Sequence, residues 1–176
     1  VALAVAVPVA LAAPQFATPA AVGAIVGGTL PDVDLLVGEH RRTLHFPVIG
    51  LLLAVPGVLL AVLAPTAGTV ALALALLGFG IHSTSDVLGA GEELRPWERT
   101  NTNAVYDHAS GRWWRARYVI PYDGSPHDLG LAIVAALPVL LVYDGPIRWG
   151  LGAALVVAVA YAVLRRRLVP YFERLL

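Results

Sequence analysis

Between two apolar runs stand Asp32, Asp34, His40 and His45, and near the end of a later run His82 is followed four positions on by Asp86. Imidazole and carboxylate together are the donor set of a Zn²⁺-type site. Ionisable groups placed against apolar runs are expensive at membrane depth and usually mark function. The i, i+4 spacing puts His82 and Asp86 on one helix face, where they could chelate one ion. The same spacing also suits a buried His–Asp hydrogen bond that staples helices. Asp32 and Asp34 could ligate directly, orient a ligating imidazole from behind, or simply end a helix. On a continuous helix His40 and His45 would diverge by about 140°. They meet one ion only if a turn separates them; otherwise they face lipid head groups.

Five residues form the candidate metal set: Asp32, His40, His45, His82 and Asp86. Four others are candidates for the chemistry around it. Asp34 or Glu92 could accept a proton, and Arg41 or Arg95 could steady charge developing on a substrate oxygen. Each has an ordinary reading as well, with Glu92, Glu93, Arg95 and Arg99 forming a solvated loop with local ion pairs. Asp107-His108 and His127-Asp128 are further candidates, although Ser125-Pro126 ahead of His127 reads as a helix start. Tyr122-Asp123-Gly124 reads as a turn, and Arg165 to Arg167 as a topology anchor. His-Glu-x-x-His, Gly-x-Ser-x-Gly and phosphate-cradling Gly-x-x-x-x-Gly-Lys patterns do not occur in the sequence.

The elements that must position these groups are apolar. Of 176 residues, 58% are hydrophobic and 14% charged, and mean hydropathy is +0.74. A soluble domain carries about 25% charged residues, so an integral membrane domain is expected. Net charge is zero, which gives no general pull toward nucleic acid, and none is expected to bind. No cysteine is present, so any metal must use His, Asp or Glu. Every basic residue is arginine, as in the proteins of GC-rich prokaryotic genomes. The chain opens at Val1, already apolar and without Met; further residues are expected upstream, with a cleaved signal peptide as the alternative.

Six hydrophobic segments can be drawn, at about 1–13, 19–29, 47–64, 68–88, 128–143 and 147–164. A spanning helix needs about 20 residues; the third, fourth and sixth segments approach that, and the first two are short. Residues 89–127 form a polar, aromatic, Arg-rich connection, long enough to be a functional cover or a small extramembrane element. Threading the six segments alternately through a bilayer gathers all the arginines but Arg148 on one side, which the positive-inside rule makes cytoplasmic. Asp32 to His45 and His82 with Asp86 fall on that same side.

Gly28-Thr29-Leu30-Pro31-Asp32-Val33-Asp34, then His40-Arg41 and His45, then His82 with Asp86, resembles the YdjM-type family of predicted membrane-bound, metal-dependent hydrolases. The likeness covers about residues 23 to 90. It departs at Arg42 and Leu44, where the family usually has Gly and Thr. The stretch from Glu93-Leu94-Arg95-Pro96-Trp97 to Asp123-Gly124-Ser125-Pro126 is similar to an archaeal branch of that family. The family is grouped with zinc-dependent phospholipases C and P1-type nucleases. The resemblance therefore implies phosphoester hydrolysis, with Asp32, His40, His45, His82 and Asp86 as the metal set and Asp34 as ligand or support. It also implies a further histidine upstream of Val1.

The resulting expectation is an all-α, polytopic membrane bundle of five to six hydrophobic segments, a single domain over 1–176 with 89–127 as a polar cytoplasmic-side loop. It would be a hydrolase of the prokaryotic plasma membrane, with a divalent metal, Zn²⁺ first and Mn²⁺ second. Its partners would be the bilayer and a lipid or small phosphoester substrate. Two other classes fit the same residues: an ion- or proton-coupled transporter, and a non-catalytic membrane scaffold.

Overall fold

Breaks in the apolar pattern become element ends. The computed structural model describes residues 1–174. A 3₁₀ turn at Ala2–Ala6 leads into α1 (Val7–Ala12), which stops just before Pro14. A 3₁₀ turn at Pro14–Phe16 leads into helix α2 (Ala17–Thr29), which passes into another at Pro31–Leu35. Then follow α3 (Pro47–Leu63), α4 (Ala67–Ser85), α5 (Pro126–Val142) and α6 (Gly145–Phe172). Local chemistry sets the starts. Thr66 and Thr69 satisfy each other's backbone N–H in a capping box ahead of α4. Ser125 accepts from the Asp128 N–H with Pro126 in the first turn of α5, as its sequence predicts.

The chain is mostly helical, and among the described residues three stretches are long and apolar enough to cross a membrane: Pro14–Leu35, Ala67–Leu88 and Gly145–Phe172. The 22 residues of the first reach roughly 33 Å, about one hydrocarbon core. This differs from the sequence expectation at three places. The second segment is longer than its apolar run, because 3₁₀ turns extend α2 at both ends. The third is shorter, since α3 stops at 17 residues before Ala64-Pro65. Helix α6 also runs past the end of its apolar run, through Arg165–Arg167 and Pro170.

Helix α4 packs against both α2 and α3. Small residues allow it: a Cβ on Gly23 or Gly27 would overlap the carbonyls of Ala71 and Ala75 on α4. Ala20, Ala21, Ala24 and Ala73 line the same contact. Backbone approach through Gly and Ala is how helices associate where lipid removes the hydrophobic drive. Outside this core, Leu52, Val62, Val156, Val157 and Val163 are all exposed. That much aliphatic surface is not carried by a monomer in water.

The connection between α4 and α5 corrects the all-α reading. Strands β1 (Asn103–Asp107) and β2 (Arg112–Arg115) pair antiparallel, with Val105 opposite Trp114 and Tyr106 opposite Trp113. Aromatic and β-branched residues favour this pairing. Asp107 accepts from the Ala109 and Ser110 N–H groups, and Gly111 supplies the left-handed residue (φ 66°) that closes the hairpin. The Tyr106 N–H donates to the Arg41 carbonyl at 2.9 Å, so β1 backs the loop that carries His40 and His45.

Candidate metal centre

Three chain segments meet at one end of the bundle. The 3₁₀ turn after α2 brings Asp32 and Asp34, the loop before α3 brings His40 and His45, and the end of α4 brings His82 and Asp86. The required turn between His40 and His45 exists. Arg42 and Thr43 N–H groups donate to the Glu39 carbonyl, the Glu39 N–H to Thr43 Oγ1, and Arg41 takes a left-handed φ of 59°. The imidazoles converge, with ring centroids 5.4 Å apart for His40–His45 and again for His45–His82.

The 3₁₀ turn decides the roles of the two aspartates. At about three residues per turn, positions two apart point roughly 120° from each other. Asp32 faces the histidines from a half-exposed position, with Oδ1 3.2 Å from His82 Nε2 and 3.8 Å from His45 Nε2. Asp34 is buried behind them. It accepts from His40 Nδ1 through Oδ1 at 2.8 Å, and from His45 Nδ1 at 2.8 Å and the Leu44 N–H at 3.2 Å through Oδ2. Both oxygens are engaged, so Asp34 positions two imidazoles and is not free to take a proton from substrate. Its candidacy as a proton acceptor is corrected accordingly.

Each imidazole is held by the same device. Nδ1 of His40 and His45 donates to Asp34, and Nδ1 of His82 donates to the Gly28 carbonyl at 2.6 Å. A tied Nδ1–H leaves Nε2 with its lone pair, the form that binds metal. Asp32, His40 and His45 offer ligand atoms within 4.8 Å of one another, and so do His45, His82 and Asp86. These groups could hold a metal ion. The burial pattern fits one. His45 is fully buried, its Nε2 lies 3.1 Å from Asp86 Oδ2, and neither atom has a hydrogen-bond partner among the described residues. Buried polar atoms are rarely left so. Asp32, Asp34 and Asp86 also bring three carboxylates against three imidazoles, an excess of negative charge that a divalent cation would offset.

A cavity of about 680 Å³ opens beside His40, bounded by Arg41, Glu92, Asp123, Tyr161 and Arg165 among others. Burial pushes the Glu92 carboxyl above the ordinary glutamate value; His40 and Arg41 pull the other way without cancelling it. The guanidinium groups of the two arginines singled out in the sequence are engaged by other partners. Arg41 donates to the Ala90 carbonyl at 2.7 Å and ties the histidine loop to the segment after α4. Arg95 forms a bidentate pair with Glu173 at 2.6 and 2.9 Å and does not line the cavity. His108 donates to the Arg42 carbonyl and stacks on Phe46, and His127 sits in the α5 start, so neither joins the cluster.

Sequence reasoning missed Asp123, Tyr161 and Arg165. Arg165 is buried, its Nε 3.2 Å from Asp123 Oδ2, and Tyr161 Oη donates to the same oxygen at 2.5 Å. Burial alone would raise Asp123, but the Tyr161 and Arg165 contacts outweigh it and hold the carboxyl below the ordinary aspartate value. The only sequence signal was the i, i+4 spacing of Tyr161 and Arg165 on an otherwise apolar helix. Compared with family models, curated proteins and solved structures, the chain matches none.

Proposed function

We propose that the chain is a membrane-embedded, metal-dependent hydrolase acting on phosphoesters. One observation carries this reading: His45 presents a buried, unpartnered Nε2 to an unpartnered Asp86 oxygen while Asp34 holds its other nitrogen. Asp32, His40, His45, His82 and Asp86 would hold the ion, with zinc the first choice for this N/O donor set and manganese the second. When bound, such an ion supplies Lewis acidity, lowering the pKa of water and polarising a phosphoryl oxygen. An imidazole Nε2 has one lone pair, and His45 is common to both ligand groups, so they serve a single ion through it. Glu92, on the cavity wall beside His40, is the group placed to accept a proton. Arg41 flanks the same cavity and orients the histidine loop.

The likeness of Gly28 to Asp34, His40-Arg41, His45 and His82 with Asp86 to the YdjM-type pattern supports membership of that family and phosphoester chemistry. In this reading α3 and α5, though short, complete a bundle of five to six membrane segments in the plasma membrane of a prokaryote. The Arg-rich end, with the metal centre, is cytoplasmic. The test is metal content of detergent-purified protein, wild type beside the His82→Ala/Asp86→Ala variant. Stoichiometric zinc or manganese in the wild type, lost in the variant, supports the reading and selects the metal for a phosphoesterase screen. No bound metal in either after refilling overturns it.

A further inference from the structure

The cavity beside His40 has two kinds of wall. Toward the metal centre it is polar, with His40, Arg41 and Glu92. Away from it stand Leu35, Leu94 and Phe172, all exposed, at 65%, 39% and 47%. Leu35 ends the stretch Pro14–Leu35, and on α6 the wall runs from Tyr161 and Arg165, at the end of its apolar run, to Phe172 about two turns beyond. The mouth of the cavity therefore lies where two helices long enough to span would leave the apolar layer. Leu36 and Val37, 86% and 62% exposed, continue that apolar rim.

Resting on the hydrolase reading, we infer that this cavity is a lateral portal for a lipid phosphoester. Its long apolar chain lies along Leu35, Leu94 and Phe172, and its head group reaches His40, Arg41 and Glu92. The electrostatics point the same way. The guanidinium of Arg165 is occupied by Asp123, that of Arg41 by the Ala90 carbonyl, and Glu92 shares the wall. Apart from the ion of that reading, a phosphate meets a mixed wall of side chains, not a cationic one, and these add little affinity for its charge. The apolar side supplies it: each methylene buried strengthens binding about fourfold. The volume lies inside the range of about 300–1,000 Å³ typical of small-molecule sites.

The test uses full-length, metal-treated protein in phosphatidylcholine nanodiscs. The probe is hexadecylphosphonate with a photoreactive diazirine in its chain, and crosslinks are mapped by mass spectrometry. Labelling is expected to concentrate on the peptides carrying Leu35 to Val37, Leu94 and Phe172. Unlabelled hexadecylphosphonate should displace the probe at concentrations about a hundredfold or more below methylphosphonate. Leu35→Asn with Phe172→Asn should weaken labelling about tenfold, whereas Val156→Asn, on an exposed face of α6 away from the cavity, should not change it. Labelling spread over the exposed aliphatics of α3 and α6, or equal competition by methylphosphonate, overturns the portal. Labelling needs no turnover, so the two readings fail separately. Metal-dependent cleavage of bis(4-nitrophenyl) phosphate without cavity labelling removes the portal and leaves the hydrolase. Cavity labelling on a protein that holds no metal does the reverse.

Discussion

Replacing Asp34 by Asn should remove one metal ligand without touching it. Three donors converge on the Asp34 carboxylate: His40 Nδ1 on Oδ1, and His45 Nδ1 with the Leu44 N–H on Oδ2. An amide has one oxygen. The backbone N–H of Leu44 cannot turn away, so the oxygen stays on that side and continues to serve His45. The new NH₂ then faces His40, whose Nδ1 must become an acceptor. Its proton moves to Nε2, and His40 stops being a ligand while His45 and His82 keep theirs. Loss of a partner behind a ligating histidine weakens metal binding about 10- to 100-fold. Asp34→Ala is the poorer test. It leaves one buried and two part-buried donors without an acceptor, at up to about 1–3 kcal/mol each, which endangers the fold. The assay is a competition titration against a chromophoric chelator in detergent, with ¹⁵N-histidine NMR to read which ring nitrogen carries the proton. Unchanged metal affinity in the Asn variant, or an unchanged His40 tautomer, would refute the reasoning.

Three further outcomes follow from the same geometry. Arg95→Ala should leave metal binding and phosphoester hydrolysis unchanged, because Arg95 is spent on an exposed pair with Glu173; a large fall in turnover would return Arg95 to the site. Asp123 has a folded pKa below its unfolded value of about 3.9. Its hold on Tyr161 and Arg165 should therefore be complete above that pH and be lost as pH falls through the folded value. Trp97, which packs against Arg165 and Arg166, should report the change in fluorescence, and Asp123→Asn should abolish the transition. Gly27→Ala drives a methyl into the Ala75 carbonyl, so α2 and α4 must separate. The variant should lose about 1–3 kcal/mol of stability and also metal affinity, because Asp32 and the Gly28 carbonyl both contact His82 across that interface. Thermal unfolding in detergent and the same chelator titration check both halves.

The His82–Asp86 spacing, the Ser125 cap and the terminators at Pro14 and Pro65 are local signals, and they could be read directly because neighbours in sequence decide them. The gathering of the His and Asp clusters at one end was also legible, since the order of apolar segments dictates which ends meet. The roles inside the cluster were not. Asp34 looked like a possible base until a 3₁₀ turn aimed it away from Asp32 and behind two imidazoles. An α-helical turn at the same residues would have set that angle differently, and the sequence around Pro31 does not distinguish the two. Arg41 and Arg95 were candidates by proximity in sequence, but a guanidinium on a long stem goes to the acceptor that folding brings nearest: the Ala90 carbonyl for one, Glu173 for the other. Arg165 went the opposite way, from anchor to buried partner of Asp123, a pairing across 42 positions. The sequence alone thus determined which residue types stand at the end of which apolar run, because periodicity and helix termination are local. Only the tertiary structure decided which of them ligate, which orient and which merely hold the fold, because hydrogen-bond geometry is set by distances between segments remote in the chain.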